Sequence, residues 1–92
     1  LIKIRRIILI RKEGDIIRKN ATTWEHPDAE KEICSRKGKS VRLQYNSRDK
    51  QGFFYCVHFA GNGHYFQSLP EAVAYMKKRK FLRSDETCVL FP

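Results

Sequence analysis

The fold is decided by residues 41–80, which read VRLQYNSRDKQGFFYCVHFAGNGHYFQSLPEAVAYMKKRK. Runs rich in aromatic and β-branched residues predict strands at 41–45 and 53–59, followed by a short strand that ends at Phe66. A polar turn at 46–52 separates the first two strands, and the Gly61-Asn62-Gly63 segment separates the last two. The segment therefore predicts a three-stranded antiparallel meander.

A helix follows the meander, at about residues 69–80. Ser68 and Glu71 have the spacing of a capping box, in which each side chain satisfies a backbone N–H of the other residue. The apolar residues after the cap recur at helical spacing and predict the stripe that packs on the sheet: Leu69, Ala72, Val73 and Met76. Beyond the helix, the apolar residues 88–91 are expected to add to the core.

The first 38 residues predict an extension of this unit. Isoleucines dominate residues 1–12 and 15–19, which predicts a β-hairpin with its turn at Glu13-Gly14-Asp15. Residues 25–38 predict a short helix, with Pro27 at its start and Gly38 at its end. The expected fold is α+β: a three-stranded antiparallel meander packed by one helix, with an added N-terminal β-hairpin and short helix.

The chain is strongly basic. Nineteen Lys and Arg against ten Asp and Glu give a net charge of +9, which favours a polyanionic partner. The three cysteines form no CxxC pair and cannot all pair with one another, which is typical of a reducing compartment inside the cell. The apolar run at residues 7–10 is far shorter than the roughly 20 residues of a membrane span. We expect neither a membrane partner nor a small-molecule substrate.

Catalytic chemistry finds little support in the sequence. Cys56 and His58 share a strand face, but the spacing of cysteines and histidines matches no usual zinc pattern. The Gly61 and Gly63 pair belongs to a turn and not to a phosphate-binding loop. We therefore predict a protein that is not an enzyme, with no catalytic residue, no metal site and no cofactor.

Three groups of cations surround the predicted meander. They lie at its entrance, in its first turn and after its helix, where together they could line one duplex. Cations at the end of a helix also stabilise its dipole, so the last group has a second interpretation. The groups are Lys37, Lys39 and Arg42; Arg48 and Lys50; and Lys77, Lys78, Arg79, Lys80 and Arg83.

Residues 63–75, GHYFQSLPEAVAY, resemble the methyl-CpG-binding domain family, which carries a Gly-x-x-Phe-Arg-Ser-x-x-Glu…Tyr segment in this place. The resemblance covers about residues 41–91. It implies an α/β sandwich whose first loop enters the DNA major groove, with Arg48 as the residue that enters, while the sheet edge and helix start grip the backbone. Gln67 departs from the family's arginine, and Tyr55 departs from its aspartate. The segment is less similar to plant ethylene-response domains and to the amino-terminal arm domains of phage-type integrases.

The second strand, 53–59, is apolar on both faces. The family register places the helix over Phe54 and leaves Tyr55 and Val57 facing the ligand, unless the N-terminal hairpin packs there. Of the two states, buried aromatics are favoured over exposed ones. The predicted DNA-binding residues take this register into account: Lys39, Arg42, Arg48, Lys50, Tyr55, Gln67, Ser68, Lys77 and Lys78.

These observations predict a single domain, residues 1–92, with an extension at 1–38 and a nucleic-acid-binding core at 39–92. The expected function is sequence-tolerant or weakly specific binding of duplex DNA, in chromatin or transcription regulation and in the nucleus, with a chromatin protein as a second partner. One alternative is an adaptor that binds another protein through its sheet face or edge. Another is a binder of RNA or single-stranded nucleic acid, whose bases would stack on exposed aromatic rings.

Overall fold

The computed structural model describes residues 4, 6–11, 27–47 and 49–91. They form an α+β fold with two sheets and one helix. Four antiparallel strands form the larger sheet in the order β2-β3-β4-β5, and β1 pairs with β6 in the smaller one. The elements are β1 (Arg6–Arg11), β2 (Ala29–Arg36), β3 (Lys39–Tyr45), β4 (Tyr55–Phe59), β5 (Asn62–Phe66), α1 (Leu69–Lys78) and β6 (Glu86–Phe91).

The predicted meander is confirmed as β3, β4 and β5, with β2 added beside β3. Its last turn is shifted, because Phe59 and Asn62 are register partners and the turn is therefore Ala60-Gly61, not Gly61-Asn62-Gly63. Ala60 has φ 54° and Gly61 φ 81°, so both central residues have the positive φ of a type I′ hairpin turn.

The short helix predicted at 25–38 is wrong, since this segment contains strand β2. Its acidic residues do not stabilise a helix start: Glu30 accepts hydrogen bonds from side chains of β3, and Glu32 accepts one from Ser40. Gly38 does not end a helix either. Lys37 (φ 53°) and Gly38 (φ 76°) form the two-residue turn into β3.

Helix α1 is confirmed, and both of its ends are capped. The Ser68 hydroxyl accepts a hydrogen bond from the Glu71 N–H at 3.4 Å, as the capping box predicts. At the other end Lys80 takes up a left-handed conformation with φ 64°. Its N–H donates to the Lys77 carbonyl at 3.1 Å, and the Phe81 N–H donates to the Met76 carbonyl at 2.8 Å, which is the pattern of a Schellman motif.

The core lies between the larger sheet and the layer formed by α1 and the β1–β6 pair. The helix contributes Ala72, Val73 and Met76, and the sheet contributes Val41, Leu43 and Val57. Because side chains alternate along a strand, Tyr55, Val57 and Phe59 all lie on this inner face of β4. We call the opposite face of the larger sheet the outer face; it carries Gln44, Cys56, His58 and Tyr65.

The N-terminal strand β1 runs parallel to β6, and six register pairs join them. Ile8 and Cys88 are partners in this register and are both buried in the core, so the expected contribution of the C-terminal tail to the core is confirmed. The second strand of the predicted hairpin, 15–19, lies outside the described residues.

Candidate nucleic-acid interface

The larger sheet has two ends that carry different candidate residues. β3 starts at the Lys37-Gly38 turn and ends at the loop 46–54. We call the first the turn end and the second the loop end. Seven residues of strand separate them, or roughly 20 Å.

Helix α1 connects the two ends. It starts at the loop end, because β5 finishes with Phe66 opposite Tyr55, the first residue of β4. It finishes at the turn end, where the rings of Phe59 and Phe81 pack with centroids 5.3 Å apart. There the Arg36 Nη2 donates to the Lys80 carbonyl oxygen at 2.6 Å, which joins the β2–β3 turn to the helix end.

This contact gathers cations from separate parts of the chain into one surface, which we call the basic end. Lys77 is half-buried and the other members are exposed. A cleft of about 600 Å³ opens among Arg36, Lys77, Lys80 and Arg83, with Asp85 as its acidic member. The basic end comprises Arg36, Lys37, Lys39, Lys77, Lys78, Arg79, Lys80 and Arg83.

Side-chain contacts hold part of the basic end in place. The Lys77 Nζ donates to the Ser84 carbonyl at 3.2 Å. Arg79 donates from Nη1 to the Tyr75 hydroxyl at 3.0 Å, and its guanidinium carbon lies 5.5 Å from the Phe81 ring centroid. A guanidinium placed over an aromatic ring in this way is attracted to the ring face while it stays in contact with solvent.

The predicted DNA-binding residues do not form one surface. Lys39, Lys77 and Lys78 belong to the basic end, whereas Lys50, Gln67 and Ser68 lie at the loop end. Ser68 is also the N-cap of α1. Arg48, predicted to enter the major groove, lies outside the described residues.

Arg42 is committed to an ion pair on the outer face. Its Nη1 contacts the Glu30 carboxylate, which also accepts a hydrogen bond from the Gln44 Nε2 at 2.7 Å. The Glu30 side chain is only 13% exposed, whereas that of Arg42 is 43% exposed. A largely buried carboxylate needs such partners, so the structure gives Arg42 a structural role.

Tyr55 lies on the helix side of the sheet, so the family register of β4 is wrong and the alternative of buried aromatics is confirmed. Tyr55 packs against the core on the helix side, its ring centroid 5.1 Å from that of Tyr45, and burial raises its pKa above the usual value. Val57 is fully buried beside it. Both faces of β4 are apolar, so the sequence did not determine which face α1 covers.

Sequence reasoning missed Arg36 and Tyr65. Arg36 was assigned to a helix end, although the Lys37-Gly38 pair that follows it is a signal for a hairpin turn. Tyr65 lies on the outer face opposite Cys56 and is 48% exposed. The signal for it was the alternation of Gly63 and Tyr65 on one face of β5.

The comparisons with known proteins give no relative. No family model, no curated protein and no solved structure matches this chain.

Within the described residues, no helix is long and apolar enough to cross a membrane. Nor does that part of the chain bring three or more His, Cys, Asp or Glu residues together around a position that could hold a metal ion.

Proposed function

We propose that this protein binds duplex DNA chiefly through phosphates, and that the basic end is the contact surface. The observation that supports this is the Arg36–Lys80 contact, which brings cations of the β2–β3 turn beside those of the helix end. Each cation that neutralises a phosphate releases condensed counterions, and that release drives association.

The helix dipole accounts for only part of this surface. It favours cations in the last helical turn, such as Lys77 and Lys78. Arg36, Lys37 and Lys39 belong to a β-hairpin and not to the last turn of a helix, so the preference for cations in that turn does not account for them. A phosphate backbone is a partner that explains both groups.

Binding at the basic end is expected to tolerate many sequences. Lysines dominate it, and a lysine contacts phosphate as a point charge, whereas bidentate reading of a base edge requires a planar group such as arginine. Arg36 and Arg79 already make contacts within the protein. The proposal includes a role in chromatin or transcription regulation, in the nucleus. The resemblance to methyl-CpG-binding domains also favours DNA as the partner. It would place the DNA contacts at the loop end and not at the basic end.

The test compares two double variants that each remove two positive charges. Lys37→Asn with Lys80→Asn removes charge from the basic end at two left-handed positions, which asparagine tolerates. Lys31→Gln with Lys50→Gln removes the same charge from positions towards the loop end. Fluorescence anisotropy with a blunt duplex at several salt concentrations then gives the slope of log K against log salt.

The basic-end variant should lose about one to two units of slope, because each lost phosphate contact contributes about 0.9. The control variant should lose clearly less. Equal losses in the two variants would show that net charge alone governs binding, and no binding of the wild type to duplex would refute the proposal.

A protein-binding role is the second candidate, and the β1–β6 pair favours it. Ile7 is 55% exposed and Val89 38%, on the side of this pair that faces away from the core. A partner bound there would be retained at high salt and lost on Ile7→Ser with Val89→Thr, whereas DNA binding would be unchanged. Affinity capture at two salt concentrations measures the difference.

A further inference from the structure

Tyr65 lies on the outer face of the larger sheet, opposite Cys56. A Cβ built on Gly63 would lie 3.1 Å from the Tyr65 hydroxyl oxygen and 3.3 Å from the ring carbon that carries it, so the hydroxyl end of the ring lies against Gly63. The same Cβ would lie 3.1 Å from the Cys56 Sγ, which is buried beneath. The tyrosine is nevertheless 48% exposed, so part of this side chain is accessible on the outer face, where we call it the aromatic platform.

A pocket of about 300 Å³ adjoins this platform. Its lining combines Phe53 and Tyr65 with the carboxylate of Asp49 and the amide of Gln51. The Asp49 Oδ2 accepts hydrogen bonds from the backbone N–H groups of Gln51 at 3.1 Å and Phe53 at 2.9 Å. The carboxylate is therefore held in one position by its own loop.

We propose that this pocket binds one unpaired nucleobase with an exocyclic amino group, in a single-stranded segment that adjoins a duplex held at the basic end. The base stacks on Tyr65, and the Asp49 carboxylate accepts a hydrogen bond from the amino group. Cytosine fits this chemistry, whereas thymine presents a carbonyl oxygen in the same place. The proposal rests on the proposed function, because it takes a nucleic acid as the partner.

The charges of the molecule favour a base over an ammonium group. The chain carries a net charge of +9, which repels cationic ligands and attracts a phosphate backbone. Lys50 is exposed between the two polar residues of the pocket and can contact the phosphate of a bound nucleotide. An aromatic pocket with a carboxylate also fits a methylated lysine, so that ligand is included in the test.

The experiment measures anisotropy with three DNA ligands of the same duplex sequence: blunt, with a cytosine overhang of a few bases, and with a thymine overhang of equal length. The cytosine overhang should bind roughly tenfold tighter than the thymine overhang, the discrimination expected of one good base contact. Asp49→Asn keeps the acceptor that holds the loop and should remove that preference. Tyr65→Phe keeps the platform and the preference, whereas Tyr65→Ala should lose the gain from either overhang.

The outcomes separate the pocket from the duplex site. Equal affinities for the two overhangs, with no effect of Asp49→Asn, would overturn the pocket proposal even if blunt duplex binds. Failure to bind blunt duplex, with a preference for cytosine single strands that Asp49→Asn removes, would support the pocket and refute the duplex site. Movement of the Tyr65 ring resonances in NMR spectra with a trimethyllysine peptide, but not with the cytosine overhang, would overturn the proposal in favour of an ammonium site.

Discussion

Arg42 is a cation that we expect to stabilise the fold and not to bind DNA. Its replacement by glutamine leaves the largely buried Glu30 carboxylate without its cation, so the free energy of unfolding should fall by about 1 kcal/mol. Duplex affinity should change little, because this guanidinium already has a partner. Urea unfolding and anisotropy measure the two effects.

Lys39→Gln is the matched control for Arg42→Gln. Lys39 is exposed on the same strand and belongs to the basic end. Its loss should lower the salt slope while leaving the unfolding free energy unchanged. If Arg42→Gln instead lowers the slope and spares stability, the structural role assigned to Arg42 is wrong.

The Cys56 thiol makes stability depend on pH. Burial raises its pKa from 9.0 to about 11. Above pH 9 the thiol therefore ionises in the unfolded chain before it does so in the folded protein, which lowers the free energy of unfolding. At about pH 10.5 the loss amounts to about 2 kcal/mol relative to pH 8. This contribution is fully present below pH 9 and declines as the pH rises towards 11.

Cys56→Ala should therefore reduce the fall in unfolding free energy between pH 8 and about pH 10.5. The comparison uses urea unfolding at both pH values, so that the cost of the substitution itself cancels. Cys34→Ala is the control, because this thiol is only half-buried. An unchanged pH dependence in Cys56→Ala would mean that the thiol is not protected from ionisation.

The β4–β5 turn contains a residue whose substitution should stabilise the fold. Ala60 has φ 54° in a two-residue turn, a conformation in which alanine is strained and asparagine is favoured. Ala60→Asn should raise the free energy of unfolding by about 0.5–1 kcal/mol. Thermal unfolding followed by circular dichroism checks this.

Ala74→Asn is the control for the turn substitution. Ala74 is exposed within α1, where asparagine is a poorer helix former than alanine. This variant should be destabilised. A loss of stability in both variants would contradict the assigned turn conformation.

Elements with strong local signals were predictable. The cap at Ser68 and the apolar stripe of α1 define a helix without reference to anything else, and residues 41–66 carry strand and turn signals in alternation. β2 was mistaken for a helix because Pro27 suits a helix start, Gly38 suits a helix end, and the charges between them match the helix dipole. Cross-strand contacts to β3 override these signals, and those contacts cannot be read from the segment alone.

The two candidate surfaces depend on contacts between distant parts of the chain, which the sequence does not show. The cations were visible in the sequence, but Arg36 and Lys80 are 44 residues apart and meet only because α1 runs back to the turn end. Strand β3 separates Lys39 at the turn end from Lys50 at the loop end. The Tyr65 pocket was missed because both faces of β4 are apolar, so the face that stays open was not determined.

Ile8 packs strand β1 against the core. It is buried against the core, whereas its neighbour Ile7 is 55% exposed. Ile8→Ala should lower the free energy of unfolding by about 2–4 kcal/mol, because it leaves a cavity between β1 and the core. Ile7→Ala should change it by less than about 0.5 kcal/mol. Urea unfolding of both variants tests the pairing, and equal effects would contradict it.

The parallel pairing of β1 with β6 determines how the molecule resists a pulling force along the chain. The chain leads into β1 at one end of the pair and leaves β6 at the other. Tension between the two flanking segments therefore pulls the strands past each other and loads all six register pairs in shear. A hairpin pulled at its open end breaks its pairs one after another, at lower force. The β1–β6 pair would therefore resist stretching along the chain, and the larger sheet would carry no load while the pair holds.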